Sequence, residues 1–175
     1  MLKYPFCAVA LVFMLSACAT PSQPTAMIAS EVAVASKSSD TVSITVTGGR
    51  VTSSTYVSQI SDADFREALK QSILKSALFS QVVDGNSGRY RLDAYIGALT
   101  QPLMGVSLTV DMEVSYTLVD SVTTKAVWQQ NIATSHTATG SDSIVAATRL
   151  RLANEAAARK NIEAAIAAMG KLGLR

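Results

Sequence analysis

The sequence predicts an α+β domain built as a two-layer sandwich, in which two helices cover one face of an antiparallel sheet of about four strands. The stretch from Val106 to Leu118 alternates apolar and polar residues, which indicates a long strand that is buried on one face and solvated on the other. Two further segments repeat apolar residues every three or four positions, which is typical of helices lying on a sheet. Their order along the chain predicts the arrangement β-α-β-β-β-α.

The first strand and the first helix have clear boundaries. Thr41–Thr47 alternates Val and Ile with Ser and Thr, which predicts a half-buried strand. Gly48 and Gly49 then predict a turn, because a phosphate-binding loop would need a helix to begin directly after it. Ser61 is a natural helix cap, with Asp64 three residues further on. The helix that follows has a core-facing stripe of Phe65, Ala68, Leu69, Ser72, Ile73 and Ala77.

The middle of the chain supplies the remaining strands. A short strand is expected at Phe79–Val83, and a longer one at Tyr90–Ala98, where apolar residues alternate. The long alternating strand comes next. Asp120–Lys125 is expected to form the loop of a hairpin, and Val127–Thr134 its returning strand.

The last helix is predicted from Gly140 to about Met169, with many small residues that allow close packing on the sheet. Arg151, Glu155 and Arg159 are spaced four apart, so Glu155 can pair in both directions. Two interpretations remain open at this stage: a solvated ladder of charges, or a polar patch that contacts a partner or lipid headgroups. The candidate patch consists of Arg149, Arg151, Asn154 and Arg159.

The beginning of the chain resembles the signal of a bacterial lipoprotein. Lys3 precedes the uncharged run Pro5–Leu15, which is too short to span about 30 Å of hydrocarbon and has the length of a secretory signal core. Directly behind it, the tetrapeptide LSAC at 15–18 resembles a lipobox. The resemblance implies cleavage between Ala17 and Cys18, with a diacylglycerol and an N-acyl chain carried covalently on Cys18. No other cofactor is expected.

The same resemblance divides the chain and implies a location. The expected parts are a signal peptide at 1–17, a lipidated Cys with a flexible tether at 18–40, and a single α+β periplasmic domain at 41–175. Pro21 and Pro24 among small polar residues favour the tether, and Val32 and Val34 leave a short edge strand open as an alternative. Ala19 behind the Cys implies sorting to the outer membrane, with the domain anchored on its periplasmic face.

Cysteine content and charge exclude several classes of function. Cys7 and Cys18 are the only cysteines, so a chain that is cut and lipidated at Cys18 would have neither a disulfide nor a free thiol. Lys and Arg number 15 and Asp and Glu number 13, a balance that leaves no electrostatic footprint for nucleic acid.

Catalytic chemistry has little support in the sequence. His136 is the only histidine, and we expect it to be structural because no partners for a metal site or a Ser–His–Asp triad can be identified. Asp111 and Glu113 share the solvated face of the long strand, where a carboxylate pair is geometrically open but ordinary surface acids are expected. No zinc, nucleotide or nucleophile motif is present. We therefore expect no enzyme activity and no metal.

The hairpin and the element order carry a second resemblance. The stretch YTLVDSVTTKAVWQQNI, Tyr116–Ile132, resembles a hairpin of the auxiliary lipoproteins of ABC-type lipid transport, and the lipopolysaccharide-assembly lipoprotein has a similar architecture. The resemblance implies a non-enzymatic adapter or accessory subunit that is anchored to the membrane and docks on a protein complex of the envelope. The alternative is a lipid-binding shuttle or chaperone, which requires a cavity between the helices and the sheet. The oligomeric state is not predicted.

Overall fold

The computed structural model describes residues 20–30, 32–52 and 58–174. The signal peptide, Ala17 and Cys18 therefore lie outside the described residues. The described elements are α1 (Pro24–Met27), β1 (Thr41–Thr47), α2 (Asp62–Ser76), β2 (Gln81–Val83), β3 (Tyr90–Thr100), β4 (Leu108–Asp120), β5 (Lys125–Ala138) and α3 (Ala146–Met169).

The strands form one mixed, five-stranded sheet in the order β2-β1-β3-β4-β5. β1 runs parallel to β2 and to β3, whereas β3, β4 and β5 are antiparallel neighbours. The prediction of an antiparallel sheet of about four strands is wrong for β1. The segment between β1 and the next strands contains α2, and a helical crossover returns the chain to the same end of the sheet and makes the pairing parallel.

Two layers are present, as the sequence predicts, with α2 and α3 packed on one face of the sheet. The buried side chains of the strands, including Tyr116 and Leu118 of β4, form one core with Phe65 of α2 and Ile162 of α3. The opposite face of β4 exposes its polar residues. The long alternation in the sequence thus identifies correctly which face of β4 is buried.

Local signals fix the start of α2 and the end of β1. The Ser61 hydroxyl accepts a hydrogen bond from the Asp64 amide over 3.1 Å, so the predicted cap of α2 is confirmed. Gly48 turns the chain away after β1 with a positive φ of 89°. A β-carbon there would lie 2.4 Å from the carbonyl oxygen of Ile96, so only glycine fits.

The last helix begins later than predicted. Residues 139–145 form a turn, in which the Asp142 carboxylate accepts hydrogen bonds from the amide and the hydroxyl of Thr139. α3 therefore starts at Ala146 rather than at Gly140. β5 is correspondingly longer than predicted and runs on to Ala138.

The sheet has two distinct ends. At one end, three strands finish (β1, β3 and β5) and one strand begins (β4). We call this the loop end, and it carries residues 48–52 and 58–61 and the loops 101–107 and 139–145. The opposite or hairpin end carries the turn 84–89 and the hairpin loop 121–124.

Candidate functional site

The described N-terminal segment, residues 20–30 and 32–40, forms what we call the strap. It starts at the loop end, where the Ser22 amide donates to the carbonyl oxygen of Gln59 over 3.3 Å. It finishes at the hairpin end, where the amide of Ser36 donates to Gly170 and that of Ser38 to Leu78, each over 2.8 Å. The strap thus runs the length of the helical layer before the chain enters β1.

The strap is seated between α2 and α3. Met27 is 0% exposed and belongs to the core. The Ala29 amide donates to the Ser72 hydroxyl of α2 over 2.9 Å, and the Ser30 amide to the Glu163 carboxylate of α3 over 3.2 Å. The predicted flexible tether is therefore corrected for the described part of 18–40, because buried apolar contacts and satisfied amides hold it on the domain. Val32 and Val34 lie in irregular chain rather than in a strand.

The charged ladder of α3 holds the strap. Glu155 is almost fully buried and accepts hydrogen bonds from the Gln23 amide over 2.9 Å and from Arg151 over 2.7 Å. Arg159 donates to the carbonyl oxygen of Ala26 over 3.1 Å, so it pairs with backbone and not with Glu155 as predicted. The groups of this ladder are therefore engaged within the chain, as internal partners of the strap.

Asn154 organises the loop end from within. It is fully buried, and its amide nitrogen donates to the carbonyl oxygen of Ser58 over 2.9 Å. Gln101 donates to the same carbonyl over 2.7 Å and to the Asn154 side-chain oxygen over 2.8 Å. Gln59 in turn donates to the Gln101 side-chain oxygen over 3.0 Å. This network fixes the end of β3 against the start of α3.

Arg149 connects the loops 101–107 and 139–145 at the loop end. Its guanidinium is buried and donates to the carbonyl oxygen of Ser143 over 2.8 Å and to that of Gly105 over 3.2 Å. One side chain of α3 thereby connects loop 139–145 to loop 101–107. Because both acceptors are backbone atoms, the connection holds the shape of the loops and leaves their side chains free.

Those side chains include a group of exposed apolar residues. Leu103 is 91% exposed, Met104 86% and Ile144 91%. Together with the neighbouring exposed side chains they form what we call the apolar tip: Leu103, Met104, Val106, Ile144 and Val145. Isolated exposed apolar residues are common, but a group on two connected loops marks a candidate interaction surface.

The open face of the sheet is polar. Asp111 and Glu113 both border a shallow cavity of about 270 Å³ on this face. Asn131 of β5 donates a hydrogen bond to Glu113 and accepts one from Ser115 over 3.2 Å. Cross-strand bonds of this kind are the ordinary use of polar residues on a solvated sheet face.

β5 is the last strand of the sheet, and its two halves differ. In the second half, Asn161 and Lys160 of α3 donate to the carbonyl oxygens of Ile132 (2.8 Å) and Ser135 (3.0 Å). In the first half, Lys125–Asn131, every side chain is exposed except that of Trp128, which is half-buried. This first half is an accessible sheet edge that can add another strand.

His136 lies beside the strap. Partial burial and the nearby charges of Lys160 and Arg159 lower its pKa, and only Asp142 opposes this effect. The Asp142 carboxylate is already engaged by Thr139, so it does not orient the imidazole as in a triad. Among residues 20–30, 32–52 and 58–174, no group of three or more His, Cys, Asp or Glu side chains is placed to hold a metal.

The sequence-predicted site residues thus separate into two groups. Ala17 and Cys18 lie outside the described residues, so cleavage and lipidation stay predictions. Three of the four polar patch residues, Arg149, Asn154 and Arg159, bond to backbone atoms of their own chain, and Arg151 bonds to Glu155. Sequence reasoning missed Ser58 and Gln101 as the partners of Asn154, because no local pattern links residues so far apart.

Comparison with known proteins establishes the fold class. No family model and no curated protein matches the chain. A Xanthomonas campestris protein of the family DUF330 superposes with a TM-score of 0.62 and 12% identity, over 82% of this chain and 92% of that one. A candidate lipoprotein from Caulobacter crescentus gives a TM-score of 0.52 and 14% identity, over 74% and 87% of the two chains.

A third structure is a PelC dodecamer from Paraburkholderia phytofirmans, with a TM-score of 0.50 and 11% identity over 81% and 93% of the two chains. At these identities the likeness is one of fold. Within the described ranges, no helix combines the length and the apolar character needed to cross a bilayer.

Proposed function

We propose that this protein is a non-enzymatic lipoprotein of the bacterial envelope, anchored through Cys18 to the periplasmic face of the outer membrane. It acts as an adapter or accessory subunit that docks on a protein complex of envelope assembly or transport. The fold shared with a candidate lipoprotein from Caulobacter crescentus supports the class, and the LSAC stretch supports the anchor.

The exposed first half of β5 carries the docking part of the proposal. Lys125–Asn131 lies beyond the part of β5 that α3 covers, at the edge of the sheet, and its side chains are exposed except for that of the half-buried Trp128. An extended strand of a partner protein can pair with such an edge through backbone hydrogen bonds, while the neighbouring side chains select the sequence. Lys125 at its start limits indiscriminate pairing, as charges on edge strands do.

The alternative function, a lipid-binding shuttle, has less support. It requires space between the helices and the sheet, but the small residues of α3 are used for close contact, and Ala157, Ala158 and Ala165 are fully buried. The hydroxyl of Tyr116 donates to Asn161 over 2.8 Å across this boundary. A ligand between the layers would have to displace well-packed and hydrogen-bonded groups.

Site-specific photo-crosslinking in intact cells tests the adapter function. A photo-reactive residue at Gln130 on the exposed half of β5 is expected to give one discrete adduct with an envelope protein. The matched control is Gln71, an exposed glutamine on α2. The Cys18→Ala chain, which would lack the anchor, is expected to lose most of the Gln130 adduct.

Three outcomes would contradict the adapter function. Equal adducts from Gln130 and Gln71 would show that contacts are unspecific, and no adduct from either would leave β5 without a partner. If phospholipid copurifies in stoichiometric amounts with the protein released from the membrane, the shuttle is the better account.

A further inference from the structure

We infer that the apolar tip contacts the membrane, entering the headgroup region of the same bilayer that holds the lipid on Cys18. The inference rests on the proposed anchor and adds an orientation to it: the loop end of the domain faces the bilayer, and the hairpin end faces away.

The position where the strap begins places the anchor at the loop end. Ser22 is held there through its amide to Gln59, and its hydroxyl lies 3.5 Å from that of Ser58. Cys18 is four positions before Ser22, and an extended chain covers at most about 3.6 Å per residue, so the two α-carbons are within about 14 Å of each other. The docked strap therefore leaves too little free chain for the domain to turn its other end to the bilayer.

A continuous set of contacts leads from the strap to the tip. Gln59, which accepts from Ser22, donates to Gln101, and Leu103 follows two residues later. Arg149 then connects this loop to the one that carries Ile144. The apolar side chains are thus held on the same rigid end as the entry point of the chain.

The opposite end of the domain has a different character. Its turn at 84–89 reads DGNSGR, and its hairpin loop at 121–124 reads SVTT, with Val122 as the single apolar residue. The ion pair of Arg89 with Asp120 also lies there. A group of exposed apolar side chains at the end next to the proposed lipid anchor fits a bilayer, whose headgroup region accepts apolar side chains to a depth of about 5–10 Å.

Environment-sensitive labels on the full, membrane-extracted protein test this orientation. Leu103→Cys and Ile144→Cys each introduce one thiol at the tip, and Val122→Cys is the matched control, because Val122 is a loop residue that is 75% exposed at the hairpin end. Each protein is labelled with a nitrobenzoxadiazole dye and reconstituted in nanodiscs of phosphatidylethanolamine and phosphatidylglycerol. Spin-labelled lipid and aqueous iodide serve as the two quenchers.

We expect spin-labelled lipid to quench the dyes at 103 and 144 several-fold more than the dye at 122, and iodide to quench them several-fold less. Equal iodide quenching at all three positions would overturn the inference. Dyes at 103 and 144 that are shielded from iodide but not quenched by spin-labelled lipid would also overturn the inference. A second copy of the chain, and not the bilayer, would then cover the tip.

Dye labelling of the wild-type chain tests the lipid anchor separately from the orientation of the domain. If Cys18 carries a lipid and Cys7 leaves with the signal, the wild type takes up no dye. A wild type that is labelled and stays out of the membrane fraction would refute the anchor itself. A wild type that is unlabelled and bound to membranes, combined with a water-exposed tip, would refute the orientation alone.

Discussion

The backbone amide of Gln23 donates a hydrogen bond to the buried carboxylate of Glu155 over 2.9 Å. This contact joins the start of the strap to the middle of α3, and Arg151 supports it from the same helix with a hydrogen bond of 2.7 Å. The strap is therefore part of the folded domain, and its attachment depends on α3.

Replacing Glu155 by Ala should loosen the strap. The substitution leaves the Gln23 amide and the Arg151 guanidinium without their acceptor, at an expected cost of about 1–3 kcal/mol in the free energy of unfolding. Limited proteolysis within residues 20–30 should also become faster. Glu67→Ala is the control, because among the described residues that carboxylate accepts a hydrogen bond only from the exposed side chain of Gln71. An equal effect of both substitutions on urea unfolding would contradict this role of Glu155.

Met27 should contribute to the stability of the domain as a core residue. Met27→Ala removes a fully buried side chain, and such a change costs about 2–5 kcal/mol. Met104→Ala makes the same chemical change at a position that is 86% exposed, and it should alter stability by less than about 0.5 kcal/mol. A Met27→Ala protein that unfolds in urea like the wild type would show that the strap is detached in solution.

The buried pair of Tyr116 and Asn161 should couple the sheet to α3. Tyr116→Phe removes one hydrogen bond of 2.8 Å, whereas Asn161→Ala also removes the donor to the carbonyl oxygen of Ile132. We expect Tyr116→Phe to cost about 1–3 kcal/mol and Asn161→Ala to cost more, because the latter leaves more buried groups unpaired. Asn131→Ala on the open face should cost less than about 0.5 kcal/mol. Calorimetric unfolding of the three variants provides the comparison.

Asp120 should make the stability of the hairpin end depend on pH. Asp120 forms an ion pair with the guanidinium of Arg89 and accepts hydrogen bonds from the backbone amides of Thr123 and Val122. These contacts hold the pKa of its carboxyl far below the ordinary 3.8. Because the folded pKa lies below the unfolded one, this stabilisation is fully present above about pH 5 and is lost as the pH falls through and below the unfolded value.

The urea midpoint of Asp120→Asn should accordingly fall below that of the wild type at about pH 6 and approach it at about pH 2.5. Asp84→Asn changes an exposed carboxylate at the same end of the domain, and it should follow the wild type at both pH values. A constant difference between Asp120→Asn and the wild type across this range would contradict the ion-pair account.

Periodicity predicted most of the fold. The alternation along β4 and the stripe of α2 are local patterns set by burial, and the structure has both elements. The direction of β1 was missed, because alternation within a strand carries no information on the direction of its neighbour. The strap was missed because its small, polar and Pro-containing sequence is typical of tethers, and Met27 is its single fully buried large side chain.

The candidate site was only partly predictable for a different reason. The sequence identified Arg149 and Asn154 as unusual polar residues on α3, but it gave them the wrong environment. Their long-range backbone partners, Gly105 for Arg149 and Ser58 for Asn154, are 44 and 96 residues away and accept through carbonyl oxygens, which every residue has. Such contacts follow from the register of the helix on the sheet, and no local pattern reveals them.

The most direct test of the proposed anchored adapter is the mass of its N-terminal peptide, isolated from the membrane fraction of cells that express the full chain. The account predicts a peptide that begins at Cys18 and carries a thioether-linked diacylglycerol together with an N-acyl chain. An unmodified Cys18, or a peptide that begins elsewhere, would contradict the anchor and would remove the basis for the proposed location.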